Sequence, residues 1–368
     1  MSILKYPLKK VLPQSGIESL KRLRDNASIA WVKALVRFAF LRRVHYAFFS
    51  DAFDHEAQAV VEGQLRHVRN RSGVESSNFF LRRAVHRIEK GLIMQPRRDV
   101  FALDYIEQTV EAYSRSLDGS VDSYEICWAH DVLAAYFEMS ATHPVINRAR
   151  ERFLAFKSPH DIADDLRHEG EGRVPFAAGD AVAPVSYASF TQLCMKRRSV
   201  RWYDGRAVPR QIIDQAVELA VQSPSACNRQ PFRFIVFDDP QDIAQVSELP
   251  MGVAGFNHNF PAMVAIVGRM RAYPHARDRH VIYIDGALAA MSFIFALETL
   301  GVSSCSINWP DIPERERAAT KLLGLEPDER IVMFISLGYA AHESLVPYSQ
   351  KISLEEARVY GNFAATSV

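Results

Sequence analysis

The sequence predicts an all-helical segment followed by a domain of the α/β or α+β class. From Ser15 to Phe156, apolar residues recur at three- and four-residue spacing, the period of helices that bury one face. Residues 157–186 are rich in glycine, proline, alanine and charge, which is typical of linkers. Beyond them, short strand-like runs alternate with amphipathic stretches. We therefore expect a helical domain at residues 1–165, a linker at 166–186 and a second domain at 187–368.

In the helical half, the stretch IAWVKALVRFAFLRRVHYAFF (Ile29–Phe49) is strongly apolar yet carries Lys33, Arg37, Arg42 and Arg43. A basic amphipathic helix of this kind can lie on an anionic membrane surface. Alternatively, it packs its apolar face on its own domain and extends its basic groups to water. We favour the second alternative, because apolar residues at helical spacing are usually core residues.

A histidine and a glutamate, His86 and Glu89, lie on one face of a predicted helix at a spacing that metal ligands can use. Two such side chains do not make a metal site. With Arg82 and Lys90 beside them, we expect an ion network at the surface or between domains, and no metal.

The second domain mixes helical and strand patterns. VPRQIIDQAVELAVQS is an amphipathic helix, and FRFIVFDD, AMVAIVG and RIVMFISLGYA are strand-like runs. VIYIDGALAAMSFIFALETLGV predicts a long helix that is apolar nearly all round and must be covered on more than one side. In chain order, these elements span residues 208–223, 232–239, 262–268, 281–302 and 330–340.

Composition excludes several classes of protein. The chain has 368 residues, 48% of them hydrophobic and 24% charged, with a formal net charge of +1, so nothing favours a nucleic-acid partner. The start of the sequence lacks the apolar core of a signal peptide.

No GxGxxG, Walker or HExxH motif occurs, which argues against a Rossmann dinucleotide site and a zinc protease. The four cysteines form no CxxC pair, so we expect reduced thiols and a cytoplasmic location.

Two polar segments of the second domain indicate a binding site. RRSVR (Arg197–Arg201) gathers guanidinium groups and a hydroxyl at a helix end, which suits an anion such as phosphate. SPSACNRQPFRF (Ser223–Phe234) falls between a helix and a strand, where a loop is exposed and can carry function. Taken alone, the arginine segment is also typical of a solvated helix face. The loop segment, taken alone, is also typical of a plain turn.

Together, the two segments resemble the signature of the nitroreductase-like flavoprotein family. The match reads RRSVRWYDGRAVPRQIIDQAVELAVQSPSACNRQPFRFIVF, and DGALAAMSFIFALETLGVSSCSINW, ERIVMFISLGYA and YSQKISLEE are similar to later family segments. The resemblance covers about Tyr187–Glu356. It implies an α+β, three-layer fold with a central, mostly antiparallel sheet flanked by helices, here preceded by an all-α domain. It also implies FMN as cofactor and a homodimer with the flavin at the interface.

The resemblance also implies roles for individual residues. Arg197 and Ser199 match the phosphate and ribityl donors, and Arg201 matches the cation near N1 and O2 of the flavin ring, where it stabilises the charge of the reduced state. Arg201 and Asn308 are therefore the expected catalytic residues. The full set of expected cofactor-binding residues is Arg197, Arg198, Ser199, Arg201, Pro224, Ser225, Ala226, Asn228, Gln230, Ser306, Ile307, Asn308 and Lys351.

Some positions depart from the family pattern or carry further chemistry. Ser349 replaces a basic residue, and the family's Asn or Lys before the AMVAIV strand is placed only loosely, at Asn257 or Asn259. Cys227 and Cys305 lie inside the matched segments, but no histidine partner accompanies them, so we expect them to pack as small hydrophobic residues.

The expected function is an FMN-dependent oxidoreductase. By ping-pong transfer, it would pass two electrons from NAD(P)H or another donor to a small organic acceptor, such as a nitro compound, a quinone or a biosynthetic metabolite. The alternative is a protein that binds reduced flavin for storage, sensing or cleavage without general turnover. Fold alone does not choose between them.

Overall fold

The protein is described from a computed structural model, which places residues 28–70, 78–117, 121, 123–158, 173–177 and 184–361. The chain divides into a small compact unit (Met1–Gln58 with Asp311–Arg317) and a large one (Ala59–Pro310 with Ala318–Val368). Its helices are α1 (28–37), α2 (Ala39–Phe48), α3 (Asp54–Asn70), α4 (Phe79–Leu92), α5 (Ile106–Ser116), α6 (Ser123–Met139), α7 (Pro144–Leu154), α8 (Tyr187–Lys196), α9 (Arg210–Ala220), α10 (Pro240–Val246), α11 (Val281–Thr299), α12 (Pro313–Leu323) and α13 (Leu354–Ala357).

In the small unit, α1 and α2 contain the apolar, basic stretch that the sequence singles out. Leu35 is buried and its carbonyl accepts a hydrogen bond of 3.1 Å from the guanidinium of Arg42. The side chains of Phe40 and Phe48 are 74% and 80% exposed. The two alternatives for this stretch, a membrane surface or its own domain, both stay predictions.

The centre of the large unit is a four-stranded sheet in the order β1-β2-β4-β3, in which every neighbouring pair is antiparallel. The strands are β1 (Phe232–Phe237), β2 (Ala262–Arg269), β3 (Ser303–Asn308) and β4 (Glu329–Gly338). All but the last residue of β2 are buried, as expected for an apolar strand covered on both faces. Strand β1 ends before Asp239 because that side chain caps α10, accepting a hydrogen bond of 2.8 Å from the Gln241 N–H.

Helices cover both faces of this sheet. On one face, Ile213 of α9 and Phe293 of α11 pack against Val264. On the other, Ile243 of α10 packs in the cluster that contains Met263. These layers confirm the predicted α+β class, with an antiparallel sheet flanked by helices.

Helix α11 is the apolar helix that the sequence predicts. By length and composition alone, the stretch Ala276–Thr299 could cross a membrane: an 18-residue window in it has a mean hydropathy of 1.7, but half of that window is buried inside the fold. Its buried side, including Ala289, Phe293 and Leu297, packs on the sheet. Such burial is usual for a core helix.

In the helical half, α4 to α7 surround a core of their own. Leu81, Ile88, Tyr113, Leu133 and Ile146 are fully buried in it. The described residues of this half form helices and no strand, as the sequence predicts. Its placement as a separate domain at 1–165, followed by a linker at 166–186, stays a prediction.

The helical half also packs on the end of the sheet. A Cβ at Gly63 of α3 would lie only 2.6 Å from Cβ of Met270 and 2.7 Å from its carbonyl carbon, so the glycine permits this close approach. The His67 ring forms a hydrogen bond of 2.8 Å with the Arg271 carbonyl. Phe79 and Met270 belong to one buried cluster, which continues to Ile282 of α11.

A buried ion pair stabilises the same contact between α3 and the end of the sheet. Two N–H groups of the Arg271 guanidinium donate to the carboxylate of Asp328, over 2.8 and 2.6 Å, and the Arg271 backbone N–H adds a third hydrogen bond of 2.9 Å. The Asp328 side chain is fully buried and that of Arg271 nearly so. Arg66 of α3 lies 3.5 Å from the same carboxylate. Asp328 therefore joins α3, the end of β2 and the start of β4.

Candidate functional site

The arginine cluster Arg197–Arg201 lies beside strand β3. Helix α8 ends at Lys196, and the chain then runs in extended conformation, so that Ser199 forms a parallel bridge with Ser304. The Val200 N–H donates a hydrogen bond of 3.0 Å to the Ser304 carbonyl. The backbone of the cluster is therefore fixed by the sheet, while its charged side chains are left half-exposed.

These guanidinium groups have hydrogen-bond donors that no described residue accepts. Within the described part of the chain, the side chains of Arg197 and Arg198 make no hydrogen bond and no ion pair, and Arg201 donates only to the Ser199 carbonyl, over 3.2 Å. Burial raises the pKa of the nearby Glu298 carboxyl, although Lys196 and Arg197 oppose that shift. Among the described residues, no carboxylate forms an ion pair with any of these three guanidinium groups, so the cluster suits a bound anion.

A tyrosine and an asparagine hold the cluster in place. The Asn259 side chain accepts a hydrogen bond of 2.9 Å from the Tyr203 N–H and donates one of 3.0 Å to the Arg201 carbonyl. The Tyr203 hydroxyl donates to the Val200 carbonyl over 3.0 Å and lies 2.9 Å from Oγ of Ser336. Burial raises the pKa of Tyr203, so this hydroxyl keeps its proton.

Strand β3 presents the next predicted residues. Ser306 and Asn308 are exposed and Ile307 is buried, because successive strand side chains point to opposite faces. Cys305 is also buried, and burial raises the pKa of its thiol despite the opposing charge of Arg201 and a hydrogen bond with Ser199. A protonated, buried thiol is a poor nucleophile, in keeping with the packing role expected for it.

The second predicted segment, the loop Ser223–Gln230, is a tight, internally bonded turn. Cys227, Asn228 and Gln230 have φ angles of 54°, 51° and 49°, which non-glycine residues rarely adopt. The Ser225 Oγ accepts a hydrogen bond of 3.0 Å from the Gln230 N–H, and the Gln230 side chain donates one of 3.0 Å to Oδ1 of Asn228. Such backbone conformations are typical of functional loops held by their surroundings.

A buried carboxylate supports this loop from helix α11. Both oxygens of Asp285 accept from the Ala226 N–H at 3.2 Å, and one also accepts from the Tyr273 hydroxyl at 2.5 Å. Burial raises the pKa of Asp285, against these hydrogen bonds and the charge of Arg229. Asp285 and Tyr273 were not among the site residues predicted from the sequence. The sequence feature that could have pointed to this site is Asp285 itself, a single acidic residue among the apolar residues of VIYIDGALAAM.

Within one chain, the predicted residues fall into two groups. The first contains Arg197, Arg198, Ser199, Arg201, Ser306, Ile307 and Asn308, beside or on β3. The second contains Pro224, Ser225, Ala226, Asn228 and Gln230, on the loop over Asp285. Among the described residues, no hydrogen bond joins the two groups. Lys351 belongs to neither, because it lies in an exposed segment after β4.

A cavity of about 560 Å³ lies on the α10 side of the sheet, lined by Tyr203, Ser247, His258 and Asn259 among others. None of the predicted cofactor residues lines it. Among the described residues, no group of His, Cys, Asp and Glu side chains is placed to hold a metal ion. All four cysteines are free.

Comparison with known proteins identifies the second half of the chain. Residues 194–254 and 254–339 match the model of the Nitroreductase family. A protein of Archaeoglobus fulgidus with the provisional name NADH dehydrogenase/NAD(P)H nitroreductase is 32% identical over 157 residues, which cover 41% of this chain and 87% of that protein. The chain belongs to the nitroreductase family.

Other family members are similar to the same half. The NADH dehydrogenase of Thermus thermophilus is 29% identical, over 45% of this chain and 92% of its own length. Human iodotyrosine deiodinase 1 is 23% identical, over 46% of this chain and 68% of its own length. Among solved structures, the FMN-dependent nitroreductase of Clostridium difficile R20291 has a TM-score of 0.40 and 22% identity, covering 46% of this chain and 98% of that one.

Proposed function

We propose that this nitroreductase-family chain is an FMN-dependent oxidoreductase that accepts electrons from NAD(P)H or another donor and passes them to a small organic acceptor. The observation that carries the proposal is the cluster Arg197–Arg201, whose guanidinium groups have free donors beside β3. A phosphate accepts several charge-assisted hydrogen bonds at once, so the cluster fits the phosphate end of FMN. The solved C. difficile relative is named FMN-dependent.

When bound, FMN supplies the two-electron redox chemistry. This chain would then provide binding and electrostatics. Arg197, Arg198 and Ser199 would hold the phosphate and ribityl chain. Arg201, whose guanidinium is fixed by its hydrogen bond to the Ser199 carbonyl, would stabilise negative charge on the ring. Ser306 and Asn308 would present polar groups from the rigid strand β3.

We further propose that two copies of the chain complete each site. Among the described residues, no hydrogen bond joins the first and second groups within one chain, and the resemblance assigns both groups to one flavin. Helix α11 also leaves an apolar stripe at helical spacing, because Ile284, Leu288 and Met291 are 57%, 43% and 37% exposed. A second copy would cover this stripe, and an exposed apolar stripe of that kind is typical of an interface.

Flavin titration tests the proposal, with riboflavin as the matched ligand that lacks the phosphate. The purified chain is expected to bind FMN and show the visible absorption of bound oxidised flavin. Riboflavin should bind at least about 10-fold more weakly, because it forms no charge-assisted hydrogen bonds with the arginine cluster. Steady NAD(P)H oxidation with a quinone or nitroarene would favour turnover, whereas flavin loss under oxygen would favour the storage or cleavage alternative. A chain that binds neither flavin contradicts the proposal.

A further inference from the structure

Helix α4 of the helical half contacts the loop Ser223–Gln230. The Nε–H of Arg82 donates a hydrogen bond of 3.0 Å to the Asn228 carbonyl. The same guanidinium forms an ion pair of 3.0 Å with Glu125 and lies over the ring of Trp128. Arg82 therefore joins α4 both to the loop and to α6.

The ion network expected around His86 and Glu89 lies within the helical half. The His86 ring lies 3.2 Å from the Glu89 carboxylate, which also accepts a hydrogen bond of 2.9 Å from the Trp128 indole. These two side chains are paired with each other, and the contact with the loop belongs to Arg82.

The next residue on α4, Arg83, has no such partner. Its side chain is half-buried, and no described residue forms a hydrogen bond or ion pair with it. Burial, together with the positive charges of Arg229 and Arg87, lowers the pKa of Arg83, and the carboxylate of Asp278 opposes that shift. A half-buried guanidinium among other cations is costly unless an anion joins it.

Arg229 supplies a second guanidinium at the same place. The residue is only 5% exposed, and its buried Nε lacks a hydrogen-bond partner. One terminal nitrogen donates to the Ala226 carbonyl over 3.3 Å, and the guanidinium lies over the Tyr273 ring at 4.7 Å. Arg229 therefore has an unused, buried donor beside the Cys227 turn, and it lies close enough to Arg83 for the two positive charges to repel each other.

The acids near these two arginines, Asp285 and Asp278, have other partners, and among the described residues neither forms an ion pair with Arg83 or Arg229. Asp285 is buried and bonded to the Ala226 N–H and the Tyr273 hydroxyl. Asp278 lies 3.7 Å from Arg277. The third arginine, Arg87, stacks on the Tyr105 ring at 3.7 Å and lies 3.6 Å from Asp104. Arg83 and Arg229 are therefore the two arginines at this loop that lack an ion-pair partner among the described residues.

We infer that Arg83 and Arg229 form a binding site for an anionic group, a carboxylate or phosphate, on the organic acceptor. This inference rests on the proposed function, which places the loop Pro224–Ala226 against a flavin. The phosphate of that flavin has its own cluster at Arg197–Arg201, so the anion at Arg83 belongs to a different molecule. The helical half thereby sets which acceptor is used, because α4 supplies Arg83.

The test replaces Arg83 by glutamine, with Arg115→Gln as the matched control. Arg115 lies on α5, is half-exposed and pairs with Glu111, so its loss removes the same charge away from the loop. Benzoate and phenyl phosphate are titrated calorimetrically into each protein, with and without FMN, beside neutral benzyl alcohol. The ratio of KM for 4-nitrobenzoate to KM for 4-nitrobenzyl alcohol is measured in parallel.

The wild type and Arg115→Gln are expected to bind at least one of the two anions. Arg83→Gln should weaken that binding and raise the KM ratio by about 10- to 100-fold, the effect of losing a charge-assisted hydrogen bond. Arg83→Lys should recover part of the loss. Equal binding by Arg83→Gln and Arg115→Gln, or no anion binding by the wild type, overturns the inference. The titrations without FMN keep this result separate from a failure to bind flavin.

Discussion

Replacing Asp328 by alanine is expected to destabilise the protein by about 3–5 kcal/mol, because it leaves the Arg271 guanidinium buried without its partner. Asp328 is fully buried and accepts hydrogen bonds from two guanidinium N–H groups and the backbone N–H of Arg271. Its loss also removes the 3.5 Å contact with Arg66 of α3. Urea unfolding followed by circular dichroism measures the change.

Two further variants separate the charge effect from a loss of packing. In Arg271→Met/Asp328→Ala neither buried charge remains, so much of the lost stability should return. Glu107→Ala breaks an exposed ion pair in which Nε of Arg148 lies 3.0 Å from the carboxylate, and should cost only about 0–1 kcal/mol. If Asp328→Ala unfolds at the same urea concentration as Glu107→Ala, the buried ion pair does not stabilise the junction of α3, β2 and β4.

Arg197→Ala and Arg201→Ala are expected to change different properties of the site: Arg197→Ala the affinity for FMN, and Arg201→Ala the reduction potential of the bound flavin. Arg197→Ala should weaken FMN binding by about 10- to 100-fold, because a phosphate loses a charge-assisted hydrogen bond in both redox states. Arg201→Ala should lower the flavin potential by about 30–60 mV, because the lost cation stabilises the reduced ring selectively. Fluorescence titration with FMN gives the first quantity, and spectroelectrochemistry gives the second.

Arg198 provides a comparison within the same cluster. Arg198→Ala should resemble Arg197→Ala, since neither side chain forms a hydrogen bond or ion pair with a described residue, whereas Arg201 is fixed by the Ser199 carbonyl. Similar losses of FMN affinity in Arg197→Ala and Arg201→Ala, with no change of potential in either, would contradict the assigned roles.

Much of the fold follows from local sequence patterns. Apolar runs predict β1, β2 and β4, and the amphipathic and all-apolar stretches predict α9 and α11 with ends wrong by two or three residues. Helix α11 stops at Thr299, before the predicted Val302, because Gly301 has a φ of 79° that ends the helix. Strand β3 is rich in serine, so its pattern is weak, and only the family resemblance indicates it.

Long-range contacts could not be predicted in this way. His67 and Arg271 are 204 positions apart, and Arg82 and Asn228 are 146 apart, so no local period brings them together. The position of Asn259 was expected only loosely, and its two hydrogen bonds to the Arg201–Tyr203 backbone depend on the fold. The unpaired state of Arg83 is likewise visible only once its surroundings are known.

Complementation between two defective chains tests most directly whether two copies share each flavin. Arg197→Ala damages the first group. Pro224→Trp places a large ring at an exposed position of the second group, so the chain should still fold while the cofactor is obstructed. At an FMN concentration near the wild-type Kd, each homodimer should bind little flavin. The purified heterodimer should bind about half as much as wild type, because one of its two symmetric sites combines the intact groups of both chains. A heterodimer that binds no more FMN than the two homodimers would place both groups at one flavin within a single chain and contradict the shared site.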